Sequence, residues 1–215
     1  MVIKIHGASF STCTRRVAVV LKELDIPYEL VPVSFATREH KSAAFLEHQP
    51  FGQVPYIVDD DGFELFESRA IGRYIATKYR GQGPALIPDG SDVQKLAKFE
   101  QAASIELGNF DPFVSGIAVE KVFKPLWGET GIDEVVTKHL TTLEGKLNGY
   151  EAILSKQKYL AGDELTLADL YHLPYGHVVT NAGIDILHSD KWPNVARWWK
   201  DISSRPAWQA VKDGA

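Results

Sequence analysis

Residues 2–33 read VIKIHGASFSTCTRRVAVVLKELDIPYELVPV, and the spacing of their apolar residues changes twice. Val2 to His6 makes a short strand. Val17, Val20, Leu21 and Leu24 then recur at helical spacing, which predicts a first helix of about three turns ending near Asp25. Tyr28 to Val33 reads as a second strand, and Pro32, which has no N–H to offer a neighbour, puts that strand at an edge.

Working outward, Ser42 to Leu46 reads as a short helix, and Pro55 introduces a strand over Tyr56 to Val58. Asp60, Asp61 and Gly62 turn the chain back into Phe63 to Phe66 as a β-hairpin. Ser68 is a natural N-cap for the next helix, with Ala70, Ile71, Tyr74 and Ile75 along one face. A βαβ unit followed by a hairpin and a helix is the order of a thioredoxin-like fold.

The segment RGQGPALIPD, residues 80–89, has the glycine and proline content of a linker. Beyond it the periodicity is helical. Ser91 and Gln94 suggest a capping box for a helix running into the region of Gly108 to Gly116. Val136, Leu140, Leu143, Leu147, Tyr150 and Leu154 form the stripe of a long core-facing helix. Thr166 and Asp169 make another capping box, with Leu165 and Leu170 placed as a hydrophobic staple. Pro193 suits the first turn of a helix carrying Val195, Trp198 and Trp199, and Pro206 opens the last one. The expectation is an α/β domain over 1–80, a linker over 81–90 and an all-helical domain over 91–215.

Composition narrows the chemistry. At 215 residues, with 45% hydrophobic and 24% charged residues, the chain is of ordinary globular make-up and long enough for two modest cores. A formal net charge of -5 supplies no global basic field for nucleic acid or an anionic membrane. No stretch approaches the roughly 20 apolar residues that span a bilayer, and the start MVIKIHG does not read as a secretory leader, so cytoplasmic residence is expected. The single cysteine, Cys13, rules out an intrachain disulfide and a multi-cysteine zinc site. Histidines 6, 139, 172 and 177 form no i, i+4 metal pair, so no metal is expected.

A thioredoxin-like domain carries its reactive group at the N-terminus of the first helix, where unpaired N–H groups favour an anion. Here the segment is Ser9, Phe10, Ser11, Thr12, Cys13, Thr14. Without a C-x-x-C there is no dithiol chemistry. On residue types alone Ser11 or Thr12 does no more than cap the helix.

Three blocks in order change that reading: HGASFSTCTRRV at 6–17, EHKSAAFLEHQPFGQVP at 39–55 and FELFESRAIGRYIA at 63–76. Together they resemble the glutathione-binding half of a phi-class glutathione S-transferase. In the helical half LAGDELTLADL, 160–170, is similar to a capping segment of that superfamily.

The resemblance implies that Ser11, ahead of Ser9 and Thr12, is the catalytic serine. A serine is too weak a base to deprotonate a thiol, so it must donate. Lowering a thiol from about 8.5 by about two units takes roughly 2.7 kcal/mol. One hydrogen bond to a charged group supplies about 1.5–3 kcal/mol, and a helix N-terminus about 0.3–1 kcal/mol. The two together suffice.

Glutathione, as co-substrate, needs three contacts. Ser68 and the N–H groups of its helix suit the γ-glutamyl carboxylate, and Glu67 the α-amino group. The resemblance implies a cis Val54–Pro55 peptide that presents the Val54 backbone to the cysteinyl amide, with Gln53 beside it. His40 and Lys41 can hold the glycyl carboxylate. For a hydrophobic electrophile, Phe10, Phe35 and Ile117 are expected on the pocket wall. A homodimer is implied by the family, as are thioether conjugates and reduction of organic hydroperoxides. Cys13 is expected to be a small buried hydrophobe on the inner face of its helix. Two other readings stay open: a noncatalytic carrier of hydrophobic ligands or regulatory binding protein, and a thiol transferase that uses Cys13.

Overall fold

The computed structural model describes residues 2–215, which divide into two compact units. The first comprises residues 2–85 with Pro206–Ala215, and the second Leu86–Arg205.

In the first unit, strand β1 (Ile3–Gly7) leads to helix α1 (Thr12–Glu23) and strand β2 (Tyr28–Pro32). A single 3-10 turn at Glu39–Lys41 and helix α2 (Ala43–His48) follow, then β3 (Tyr56–Val58), β4 (Glu64–Phe66) and α3 (Ser68–Lys78). The sheet runs β2-β1-β3-β4, with β1 parallel to β2 and antiparallel to β3. Pro32 thus lies on an edge strand, where its missing N–H costs no ladder bond. The hairpin turns at Gly62, whose φ of 84° suits glycine, and Gly62 N–H closes it onto Asp59 O at 3.0 Å.

Asp59 anchors α3 to the hairpin. Its buried carboxylate accepts from Lys78 Nζ at 2.7 Å and from the Tyr74 hydroxyl. Burial pushes this carboxyl up, and the bonds from Lys78, Tyr74 and Asp60 N–H more than offset it, so the net shift is downward. The same arrangement raises the Tyr74 phenol to about 12, through burial first and the Asp59 bond second.

The second unit is helical: α4 (Val93–Asn109), α5 (Asp111–Ala118), a π-helical turn at Val119–Phe123, α6 (Lys124–Leu126), α7 (Asp133–Leu154), α8 (Leu167–Leu170), α9 (Leu173–Asn181) and α10 (Pro193–Ser203). Its core gathers Phe110, Tyr150, His172 and Trp198, and the Tyr150 hydroxyl lies 2.9 Å from His172 Nε2. The Thr166–Asp169 capping box is present. Asp169, fully buried, also accepts from Leu160 N–H and Trp198 Nε1–H, each at 3.0 Å, so one carboxylate ties α8 to α10. None of the described helices is long and apolar enough to cross a membrane.

Several local expectations need correction. Ser68 is the first residue of α3, and Glu67 occupies the N-cap without a capping bond. Ala70 is exposed, so the inner face of α3 is Ile71, Gly72, Ile75 and Ala76. Ser91 caps nothing: Asp92 is the N-cap of α4 and accepts from Lys95 N–H, because its carboxylate is the stronger acceptor. Helix α4 stops at Asn109, and Phe110 turns the chain into the separate α5. The last helix, α11 (Pro206–Gln209), was expected with the helical domain over 91–215, but it belongs to the first unit and packs on α1, with Trp208 buried.

Candidate functional site

The candidate residues of the first unit converge around the N-terminus of α1. After β1, a turn closes with Ser11 N–H on Ala8 O at 2.9 Å, and Ser11 becomes the N-cap of α1. Its Oγ accepts from Thr14 N–H at 3.3 Å. A hydroxyl carries one donor and two acceptor positions. Capping uses an acceptor, so the O–H hydrogen of Ser11 stays available at a helix N-terminus.

Gly7 lets this corner close. A Cβ there would meet Thr14 Oγ1 at 2.6 Å and Pro55 Cβ at 3.4 Å. The end of β1, the first turn of α1 and the Pro55 loop therefore touch one another. The Val54–Pro55 peptide is cis.

The opposite side of the corner is α3. Ser68, 6% exposed, sits at its first position, preceded by Glu67 at φ 71°, ψ 104°, a left-handed conformation unfavourable for a side chain bearing Cβ. Such strain persists only where surrounding contacts hold it. Arg16, 1% exposed on α1, donates through Nη1 to Ser68 Oγ at 3.0 Å and to Cys13 Sγ at 3.4 Å. One guanidinium thus joins α1 to α3. Cys13 is partly exposed and faces a cation, which corrects the expectation of a buried hydrophobe.

A row of rings leads away from Ser11. Phe10, 65% exposed, meets Phe35 edge to face at 5.4 Å, and Phe35 stacks on His40 at 4.4 Å. His40 is held below the ordinary imidazole range by burial first, then by Lys41 and Arg38, so near neutral pH it carries no charge. The cations at this end are therefore Lys41 and Arg38, and Lys41 Nζ donates to Phe51 O at 3.2 Å. Gly52, at φ 60°, gives it room, because a Cβ there would lie 2.7 Å from His40 O and 2.8 Å from Lys41 Nζ. Gln53 follows, with its N–H on Gln49 Oε1 at 3.1 Å. His40, Lys41, Gly52 and Gln53 form one patch.

Ile117 belongs to the second unit. It is fully buried on α5, in line with Val114 and Ala118, so its side chain offers no surface to a ligand. Its helical spacing marks core rather than pocket, which corrects the expectation for this residue. Among the described residues, Asp59, Asp60 and Asp61 bring three carboxylates together, and Lys78 Nζ bonds two of them at 2.7 and 2.9 Å.

Comparison with known proteins then decides the family. Residues 1–77 match the model of the glutathione S-transferase N-terminal domain, and residues 114–206 that of the C-terminal domain. A glutathione S-transferase of Arabidopsis thaliana is 46% identical over 198 residues, covering 92% of this chain and 89% of that one. The chain belongs to the glutathione S-transferase family, phi class.

Solved structures of such transferases superpose closely. A glutathione transferase from Populus trichocarpa has a TM-score of 0.91 at 40% identity, covering 98% of this chain and 97% of that one. Glutathione S-transferase I from maize, in complex with an atrazine glutathione conjugate, has a TM-score of 0.89 at 36% identity, covering 99% and 97%. This phi-class glutathione S-transferase is thus an enzyme of the transferase type, with the thioredoxin-like and helical architecture of its family. What sequence reasoning missed in it is Arg16. The available signal was an arginine three residues after Cys13, on the same side of a helix that reads as buried.

Proposed function

We propose that this enzyme activates the thiol of glutathione through the hydroxyl of Ser11 and transfers the resulting thiolate to small hydrophobic electrophiles. The observation that carries this reading is the bonding of Ser11. Its oxygen caps α1 while its hydrogen stays available, so capping and thiolate stabilisation do not compete. The sulfur of a bound tripeptide would accept this O–H at the positive end of α1. The thiolate attacks the electrophilic carbon and the leaving group departs with the bonding pair, giving a thioether. With a hydroperoxide it attacks the terminal oxygen instead. A second glutathione completes the exchange, yielding an alcohol, water and the glutathione disulfide.

In this reading the γ-glutamyl carboxylate lies on Ser68 and the N–H groups opening α3, and Glu67 neutralises the α-amino group. The Val54 backbone, flanked by Pro55 and Gln53, pairs with the cysteinyl amide in the manner of an added strand. Lys41 supplies the charge for the glycyl carboxylate, and neutral His40 supplies a hydrogen bond. Phe10 and Phe35 give the electrophile an apolar wall. The atrazine glutathione conjugate held by the maize relative supports a small, largely apolar electrophile as the substrate class. We further propose a cytoplasmic homodimer.

Ser11→Ala tests the central claim. Turnover at neutral pH should fall roughly tenfold or more, since about 1.4 kcal/mol is a factor of ten. Glutathione affinity should stay within a few-fold, and part of the rate should return as pH rises. Cys13→Ser should conjugate normally. A Cys13→Ser enzyme that is dead, beside a Ser11→Ala enzyme with wild-type rate and pH profile, would overturn the assignment.

A further inference from the structure

The turn that presents Ser11 is held from outside the sheet by the segment Lys212–Ala215. Two main-chain contacts meet Ser9, two residues before Ser11. Ala215 N–H donates to Ser9 O at 3.1 Å, and Ser9 Oγ–H donates to the main-chain oxygen of Ala215 at 3.4 Å. Gly214 permits this approach, because a Cβ at that position would lie 2.6 Å from Ser9 Oγ.

A third contact comes from α1 itself. Arg15 is buried, and its Nη1 donates to Lys212 O. The backbone N–H of the same arginine donates to Ser11 O at 2.9 Å, which is the first hydrogen bond of the helix that Ser11 caps. Arg15 is thus bonded to Ser11 through its main chain and to the segment through its side chain. The base of the segment is fixed in turn. Trp208 and Val211 are each 1% exposed, and Lys212 N–H bonds to Trp208 O at 2.8 Å. All of these residues belong to one compact unit.

We infer that Lys212–Ala215 is a latch that positions the Ser9–Ser11 turn for thiol activation, with Arg15 and Gly214 as its positioning residues. The inference rests on the proposed role of Ser11. The physical reason is the exposure of the turn. Ser9 and Phe10 are exposed, and the Ser11 cap bond is a long one at 3.3 Å. Ser11 is held within the turn by its N–H on Ala8 O at 2.9 Å, and the latch adds the bonds that hold Ser9 from outside it. A hydrogen bond to a thiolate depends steeply on angle, so a turn released from the latch keeps its serine and loses part of its effect.

Gly214→Val drives a side chain into Ser9 Oγ and separates the latch, leaving Ser11, Ser68 and Lys41 untouched. The measurement is the ultraviolet absorbance of the bound glutathione thiolate against pH, alongside kcat and KM. The expected result is a titration midpoint raised by about half a pH unit and a kcat/KM about three-fold lower at pH well below the midpoint, where the thiolate fraction changes about tenfold per pH unit. The KM for glutathione should stay within about two-fold, because the contacts to its two ends are unaltered. In a Ser11→Ala background the same substitution should change nothing, since the latch acts only through that hydroxyl.

Additive losses in the double variant, or an unmoved midpoint in Gly214→Val, overturn the latch. A Ser11→Ala enzyme with an unmoved midpoint overturns the Ser11 reading instead, so the two failures are distinct. If Gly214→Val lowers the urea midpoint of unfolding, the same readings are taken on Gly214→Ala, whose single added Cβ still meets Ser9 Oγ at 2.6 Å, with the same outcomes deciding.

Discussion

Arg16→Lys is the substitution that most directly probes how the first unit recognises the γ-glutamyl end. The guanidinium is buried and reaches Ser68 Oγ at 3.0 Å and Cys13 Sγ at 3.4 Å from one side chain. Lysine keeps the charge but is a single point on a flexible stem, so it cannot reproduce the planar fork. The bond to Ser68, from a charged donor, contributes about 1.5–3 kcal/mol, and the sulfur contact less. Losing it should lower Tm by roughly 3–12 °C for a chain of this size.

Function should fail in a specific place. Because Ser68 Oγ accepts from Arg16, its hydrogen is turned outward, and without that acceptor bond the hydroxyl rotates freely. The KM for glutathione should rise about five- to tenfold, with kcat at saturation changed less than about two-fold, the signature of lost uniform binding. The assay uses glutathione and cysteinylglycine, which lacks the γ-glutamyl group. Glutathione should lose efficiency, and the dipeptide should not. Equal losses for both substrates, or a lower Tm with an unchanged KM, would show that Arg16 only holds α1 to α3.

Two further outcomes follow from local geometry. Gly52→Ala places a Cβ 2.8 Å from Lys41 Nζ on a backbone at φ 60°, so Lys41 must withdraw; calorimetry should show glutathione binding at least about three-fold weaker, and unchanged affinity would remove Lys41 from the site. His6, stacked on Tyr56 at 4.3 Å, has its pKa lowered by burial first and by His48 and Lys4 next, against Glu64 and Glu29. It folds neutral, so its contribution is complete above the unfolded value near 6.5 and is lost as pH falls below that toward the folded value. Urea unfolding between about pH 7.5 and about pH 5.5 should therefore show a steeper loss of stability in the wild type than in His6→Phe, which keeps a ring on Tyr56; parallel curves would refute the assignment.

Much of the fold was legible because period and punctuation agreed. In the first unit Pro32 marked an edge, Gly62 a turn and Pro55 the start of a strand, each through a backbone restriction that no distant contact can override. Caps were less legible. Ser68 and Ser91 have the right residue type, and yet the caps are Glu67 and Asp92, one position away in each case. At Glu67 the chain adopts a left-handed conformation that propensity would assign to glycine or asparagine. Only the packing of its neighbours selects it. The placement of α11 was hidden for the same reason. A sequence shows that Pro206 opens a helix, but not that this helix packs on α1.

The site shows a sharper division between what a pattern can carry and what it cannot. Ser11, Ser68, Lys41 and Pro55 stand at element ends, where a residue type has a local meaning, and the three sequence blocks carried them. Arg16, Arg15 and Ile117 stand inside helices, where meaning depends on what lies opposite. Helix α1 is buried along nearly its whole length from Thr12 to Leu21, so the usual contrast between a polar and an apolar face is absent. Two adjacent arginines in such a helix point in different directions. Arg15 reaches Lys212 and Arg16 reaches Ser68, and a period of 3.6 separates their side chains by about 100°. Buried guanidinium groups need partners, and Arg16 finds one at Ser68, which the blocks mark, while Arg15 finds one at Lys212, which they do not. One meets the residue proposed to hold the substrate's γ-glutamyl carboxylate, and the other meets the segment that steadies the turn of the proposed catalytic serine. The pair Arg15–Arg16 thus links α1 to both ends of the chemistry, an assignment that only the three-dimensional positions of Ser68 and Lys212 can make.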